Sequence, residues 1–199
     1  LSQNRPKRPP RVLLIERNGF TRSSFDVAPP SSSSFSVSPS SYTVGRLSWN
    51  ILTSLLAVEI LTNEKSFIQV YYRNNYHWYL KQEWCTGHLT FLSFDTENIN
   101  RLYWSNGDNF DQNDTQKKKC HIIKTIDMCF HTATTSSEDA SVAVVDGSNI
   151  LLTPVGIACI PPPMSRFKIN VSAAIRYVDF WTPLVSSFVW GLACLCTNN

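Results

Sequence analysis

The densest group of potential metal ligands in the chain lies between residues 120 and 131. Cys120, His121, Cys129 and His131 supply two thiols and two imidazoles, which are the ligands that zinc prefers. Structural zinc sites usually take ligand pairs two to four residues apart on a turn. Here the residues between the pairs, IIKTIDM, read as a strand that would separate the pairs by roughly 20 Å. We therefore predict no metal site, although a zinc-binding β domain stays open as an alternative.

Motifs that usually carry hydrolytic or phosphate chemistry are missing from the sequence. It contains no Gly-x-Ser-x-Gly, no His-Glu-x-x-His and no glycine-rich phosphate loop. His77 lies in an aromatic run, where strand alternation places Tyr76 and Trp78 on one face and predicts packing and one hydrogen bond for His77. The acidic pair Glu138 and Asp139 lies in a polar stretch and is best interpreted as solvated. The sequence therefore predicts no enzyme activity, no catalytic residue and no cofactor.

The six cysteines are too sparse to indicate a disulfide scaffold, so a reducing compartment is the default. Cys194 and Cys196 point to one face of a predicted strand, where residues two apart are poorly placed for a disulfide. We interpret both as packing residues. Asn113 and Asn170 begin glycan acceptor sequons. A secreted or surface β-sandwich with disulfides is therefore the second alternative.

Positive charge is concentrated near the N-terminus. The formal charge is +3, and residues 1–25 carry six Lys or Arg against Glu16 alone, which leaves the body nearly neutral. A neutral body argues against a dedicated nucleic-acid-binding domain. The basic tail and Lys117–Lys119 are more simply solvated than bound to RNA. The uncharged stretch at 180–196 is interpreted as two short buried strands around a turn rather than as a membrane helix.

The elements that must position these residues are short β-strands. Apolar runs of three to eight residues, rich in Val, Ile, Phe, Tyr and Trp, alternate with Asn, Asp, Gly and Pro. No window sustains a helical apolar stripe, so the fold class is all-β. The predicted strands are Val12–Ile15, Leu55–Val58, Phe67–Tyr72, His77–Leu80, Leu89–Phe94, Leu102–Trp104, Ile122–Ile126, Ser141–Val145, Ile150–Thr153, Ile157–Ile160, Phe167–Val171, Arg176–Trp181 and Phe188–Leu195.

A weak repeat within these strands favours a β-propeller over a sandwich. We divide the chain into a basic tail, 1–11, and a partial WD40-like propeller of about four blades, 12–199. The Ser/Pro-rich segment 29–41 is predicted to be a flexible insertion, and 105–119 a polar loop. Asp146-Gly147 predicts a tight hairpin turn with a positive φ at the glycine.

Two segments carry a more specific resemblance. Residues 73–82 (RNNYHWYLKQ) and the stretch 142–164, with VAVVDG, ILLT and PPPM, are similar in sequence and in order to segments of the largest, scaffolding subunit of the Elongator complex, the IKAP family. Weaker matches extend the resemblance over nearly the whole chain. The residues that carry it are Tyr76, His77, Trp78, Tyr79, Leu80, Asp146, Gly147, Pro161, Pro162, Pro163 and Met164.

The resemblance implies part of the second WD40-type propeller of that subunit. It also implies a non-catalytic scaffold that supports modification of wobble uridine (U34) in tRNA, with the chemistry done by a different subunit. The implied partners are the other Elongator subunits, including the catalytic one, with tRNA contacted only through the complex and no membrane. The implied location is the cytoplasm, with the nucleus as an additional compartment.

Overall fold

Antiparallel β-strands form all the regular structure in the computed structural model, which describes residues 8–31, 42–63, 65–106, 123–127, 132–134, 141–157, 160, 164–181 and 191–196. This agrees with the all-β prediction. The strands are β1 (Arg11–Ile15), β2 (Thr21–Asp26), β3 (Tyr42–Trp49), β4 (Leu55–Thr62), β5 (Ser66–Asn74), β6 (His77–Thr86), β7 (Leu89–Phe94), β8 (Arg101–Asn106), β9 (Ile123–Asp127), β10 (Thr132–Thr134), β11 (Ser141–Asp146), β12 (Asn149–Pro154), β13 (Phe167–Asn170), β14 (Ile175–Trp181) and β15 (Gly191–Cys196).

The strands form five sheets that follow chain order. They are β1–β2, β3–β6, β7–β9, β10–β13 and β14–β15, and within each sheet every strand pairs antiparallel with its neighbour in the sequence. Such meanders bury little alone and need a second layer on each apolar face. A series of small meandering sheets is the arrangement of propeller blades.

The sheet β3–β6 is covered on both faces, which explains the continuous apolar run of β4. Leu55 and Ala57 pack in one cluster with residues of β7 and β8, whereas Leu56 and Val58 pack on the other side with Val12 of β1. Alternate residues of a strand point to opposite faces. A third cluster joins β11 and β12 to β14. The sheets therefore stack face to face.

Several predicted strands match closely, and others needed correction. Leu89–Phe94 coincides with β7, whereas β2, β3 and β10 had no counterpart among the predicted runs. The strand predicted at Ile157–Ile160 is wrong at its start, because Ile157 is 75% exposed and its N–H donates to Pro154 O in a turn. Ser105, predicted to begin a loop, lies buried in β8, where it pairs with Phe91.

The uncharged stretch 180–196 falls partly outside the described residues. Its described ends belong to β14 and β15, which pair antiparallel. β15 is largely exposed rather than buried as predicted, and within it Leu192 and Cys196 pack against the third core cluster. Across the parts of the chain that the structure describes, no helix is long and apolar enough to cross a membrane.

Candidate functional site

The two segments that carry the resemblance meet in space. The start of β6 lies against the turn between β11 and β12, and the elements are otherwise distant in the sequence. We call this contact the junction and define it as residues 77–81 of β6 together with residues 145–147. The sequence-predicted residues His77, Asp146 and Gly147 are thereby brought together.

The β5–β6 turn sets the residue at which the junction strand β6 begins. Asn74 pairs with His77, which leaves Asn75 and Tyr76 as a two-residue loop with φ values of 47° and 61°. Positive φ at both central residues is the pattern of a type I′ turn, whose twist matches the flanking strands. Tyr76 is consequently 94% exposed, so the prediction that it shares a strand face with Trp78 is wrong. The reason is that alternation begins only after the turn.

The β11–β12 turn supplies the other side of the junction. Asp146 pairs with Asn149, and Gly147 at the first loop position has a φ of 65°, as predicted. A Cβ added to Gly147 would lie 3.3 Å from Leu80 Cδ2, which is closer than most real Cβ contacts. The turn thus needs glycine both for its backbone conformation and for its close approach to β6.

Backbone hydrogen bonds join the two sides. Gly147 N donates to Leu80 O at 2.6 Å, and Leu80 N donates to Asp146 Oδ1 at 2.9 Å. β6 is the edge strand of its sheet, so both backbone groups of Leu80 would otherwise be left unpaired there. The turn therefore covers the sheet edge at this position.

His77 adds a side-chain contact to the junction. Its Nε2 lies 3.3 Å from Asp146 Oδ2, and its ring packs edge-on against Tyr79 at a centroid distance of 4.6 Å. Packing together with one hydrogen bond is the role predicted for it. Asp146 thus accepts hydrogen bonds on both carboxylate oxygens.

Lys81 is the buried cation of the junction. Lys81 is 7% exposed. Its Nζ donates a hydrogen bond to Val145 O at 2.7 Å and lies 4.8 Å from the centre of the Tyr79 ring. Burial lowers the pKa of Lys81 to about 8, against a smaller opposing effect of the Asp146 charge. Sequence reasoning passed over Lys81, although a charge between aromatic and apolar strand residues was the available signal.

A buried polar network lies behind the junction and was also missed. Glu83 accepts hydrogen bonds from Ser31 N at 2.9 Å and from Gln69 Nε2 at 2.7 Å. Tyr71 Oη donates to Gln69 Oε1 and accepts from Ala28 N. Burial raises the pKa of Tyr71 well above its usual range. The network fixes the segment after β2 to the sheet β3–β6.

A cleft of about 660 Å³ separates this segment from the junction. Its carboxylates include Glu83 and Asp146, both of which already accept hydrogen bonds from the protein. Among the described residues no group of three or more His, Cys, Asp or Glu side chains is placed to hold a metal ion. The arrangement holds backbone segments together.

Other predicted residues lie away from the junction or outside the described residues. Met164 is described and is 62% exposed. Cys194 and Cys196 are free thiols with Sγ atoms 3.9 Å apart, and only Cys196 packs against the third core cluster. Burial and the Cys194 thiol raise the pKa of Cys196. The candidates outside the described residues are Cys120, His121, Cys129, His131 and Pro161–Pro163.

The stacked meanders and the junction between them are those of a β-propeller protein. Residues 1–106 match the family model described as ELP1 first N-terminal beta-propeller, and residues 144–193 match that of the ELP1 N-terminal second beta-propeller. The chain belongs to the ELP1 family. The family and the propeller fold predicted from the sequence are confirmed. The assignment of the whole chain to the second propeller is wrong, because the first-propeller model takes residues 1–106.

Curated relatives agree with this membership. The chain is similar to Elongator complex protein 1 of Arabidopsis thaliana, at 29% identity over 87% of this chain and 12% of the relative. The protein of the same name from Schizosaccharomyces pombe is 29% identical over 83% of the chain, and that of Saccharomyces cerevisiae is 28% identical over 94%. The chain spans about an eighth of the length of these relatives. Membership in this family replaces the alternatives of an unrelated β-sandwich and an unrelated β domain. The four candidate zinc ligands lie outside the described residues, so the prediction of no metal site stays a prediction.

Proposed function

We propose that this chain is a non-catalytic scaffold segment of the Elongator complex, where it supports modification of wobble uridine (U34) in tRNA. The names of its relatives as Elongator complex proteins support the assignment to that complex. On this proposal its partners are the other Elongator subunits, including the catalytic one. tRNA is contacted only through the complex, which works in the cytoplasm with the nucleus as an additional compartment.

The observation that carries the scaffold role is the junction. It connects β6, within the first-propeller match, to the turn at 146–147, within the second-propeller match. The bonds across it use backbone groups of Leu80 and Gly147, which hold the two elements at a fixed distance. A joint of this kind serves to orient two propeller surfaces toward partners.

The chemistry of the junction supports a non-catalytic role. A general base needs a free acceptor within reach of a substrate proton. Asp146 is engaged by Leu80 N and His77, and Glu83 by Ser31 and Gln69. Both carboxylates are thus held by structural hydrogen bonds, which protonation of the carboxylate would weaken.

Affinity purification of the tagged chain from cells that express the complex tests the assembly proposal. We expect the remaining Elongator subunits to co-purify, as identified by mass. Gly147→Ala should reduce their recovery, because the alanine disturbs the junction, whereas Gly19→Ala places a Cβ at another positive φ with no neighbour within 4 Å and serves as the matched control. Purification of the wild-type chain without any Elongator subunit would refute assembly.

An activity assay tests the non-catalytic part. The purified chain is incubated with tRNA and acetyl-CoA, and the nucleosides are analysed by mass. We expect unmodified U34. Carboxymethylation by the chain alone would overturn the proposal.

A further inference from the structure

A second cavity, of about 540 Å³, lies on the other side of the junction strand. Its described walls come from the β3–β4 turn, β5, β6, the β7–β8 turn and β11, so it lies where three sheets meet. Cavities of this size accommodate small molecules. Neither the family match nor the names of the relatives assign a ligand to it.

Two buried polar groups of β6 line this cavity without full hydrogen-bond pairing. Lys81 Nζ has three N–H donors, and among the described residues one acceptor, Val145 O, is bonded to it. Tyr79 is 2% exposed, and its hydroxyl has no partner among the described residues. Lys81 Nζ lies 4.8 Å from the centre of the Tyr79 ring. Buried polar groups are normally paired, so the unpartnered hydroxyl of this ring needs an explanation.

The charge of the site selects an anion. No carboxylate of the described residues lies within ion-pair distance of Lys81; the charge of Asp146 acts on Lys81 from farther away, and its effect is smaller than that of burial. A buried cation without a counterion is costly. A bound carboxylate would supply the missing charge and would accept hydrogen bonds from both Lys81 and Tyr79.

The remaining lining residues indicate the chemistry of the ligand beyond its carboxylate. Lys81 is the one cation among the described lining residues, while Ile99, Val142 and Val144 present apolar surface. Inorganic phosphate, a mixture of monoanion and dianion near pH 7, has no apolar body to contact these walls, and a neutral ligand would leave the ammonium without a counterion. We propose that this cavity binds a small organic monocarboxylate, with its carboxylate on Lys81 and Tyr79 and its apolar body against Ile99, Val142 and Val144.

The site has a defined pH dependence. The titratable groups that face Lys81 are Tyr79 on its own strand, Tyr72 of β5 across the cavity, and Asp146 of β11, which is in contact with His77. Because the pKa of Lys81 is lowered to about 8, the ammonium is present at pH 7 and is lost above pH 8. Carboxylate binding should therefore weaken as the pH rises above 8.

Sodium benzoate is the probe for the test. The full chain is labelled with ¹³C-lysine, and the Lys81 Cε resonance is followed by NMR at pH 7 and pH 9.5. We expect a saturable shift at pH 7 that is lost at pH 9.5, and an upward move of the Lys81 titration midpoint when benzoate is bound. Tyr79→Phe should weaken binding about tenfold, since it removes a hydrogen bond to a charged group.

Controls separate this site from adventitious effects. Benzamide, which is neutral, and inorganic phosphate should leave the resonance unmoved, and Lys168→Met, which removes an exposed lysine, should keep the benzoate shift. Lys81→Met identifies the resonance, and the wild-type titration does not depend on that variant folding. A shift that fails to saturate, or equal shifts with benzamide or phosphate, would overturn the proposal.

Discussion

Two hairpin turns at the junction meet the same backbone demand with different residues. Both have a positive φ at the first loop position, at Asn75 in one turn and at Gly147 in the other. Tyr76 extends the first turn into solvent, whereas Gly147 approaches the backbone of Leu80 at hydrogen-bonding distance.

The difference shows what sets the residue type. A left-handed conformation alone tolerates Asn and, at a cost, even Tyr, provided that the side chain can point away from the protein. A left-handed residue whose amide must reach another strand has no room for a side chain. Position 147 therefore requires glycine because it lies close to Leu80, whereas the exposed turn can use Asn75 and Tyr76 instead.

The largest expected effect is at the closely packed turn. Gly147→Ala should lower the free energy of unfolding by about 2–3 kcal/mol, since it combines an unfavourable φ with crowding against Leu80. Urea unfolding of the chain measures it. Gly19→Ala has a φ of 88° without crowding and should cost about 1 kcal/mol. Equal losses for the two variants would remove the distinction between the turns.

An intermediate effect is expected at the residue before Gly147. Asp146→Ala leaves Leu80 N without its acceptor and should cost about 1–2 kcal/mol. Asp146→Asn retains a side-chain oxygen for that bond and should recover most of the loss. Thermal unfolding of both variants compares them. If Asn is as damaging as Ala, the charge facing His77 outweighs the hydrogen bond to Leu80.

The smallest effect is expected at the exposed turn and has the opposite sign. Tyr76→Gly relieves a φ of 61° and should raise the free energy of unfolding by about 0.5–1 kcal/mol. Chemical denaturation again provides the measurement, with Tyr76→Ala as a control that removes the ring but keeps the strain. Stabilisation by Ala as large as that by Gly would show that the exposed ring, not the backbone, carries the cost.

Local patterns in the sequence predicted local structure. Apolar runs predicted the positions of most strands. The Asp146-Gly147 pair predicted its turn, because few residues other than glycine accept a positive φ. Tyr76 was misplaced because an Asn-Tyr loop lacks that glycine signal. The functional significance of the motif residues stays a prediction.

The sequence pattern did not predict which elements distant in the sequence contact each other. Hydrophobic periodicity tells which face of a strand is buried, but not which distant turn covers its edge. The approach of Gly147 to Leu80, the burial of Lys81 and the pairing of Gln69 with Glu83 all depend on how sheets stack. Sequence reasoning passed over Lys81 and Glu83, although a charged residue within an aromatic strand is an unusual feature.

The junction also has a consequence for the order of folding. The β5–β6 and β11–β12 hairpins connect neighbouring residues, whereas the bond between Leu80 and Asp146 closes a loop of 66 residues. Hairpins form in about 1–10 μs, while contacts distant in sequence must first overcome loop-closure entropy. We therefore expect the junction to close after the rate-limiting barrier, so that weakening it accelerates unfolding and leaves the refolding rate nearly unchanged.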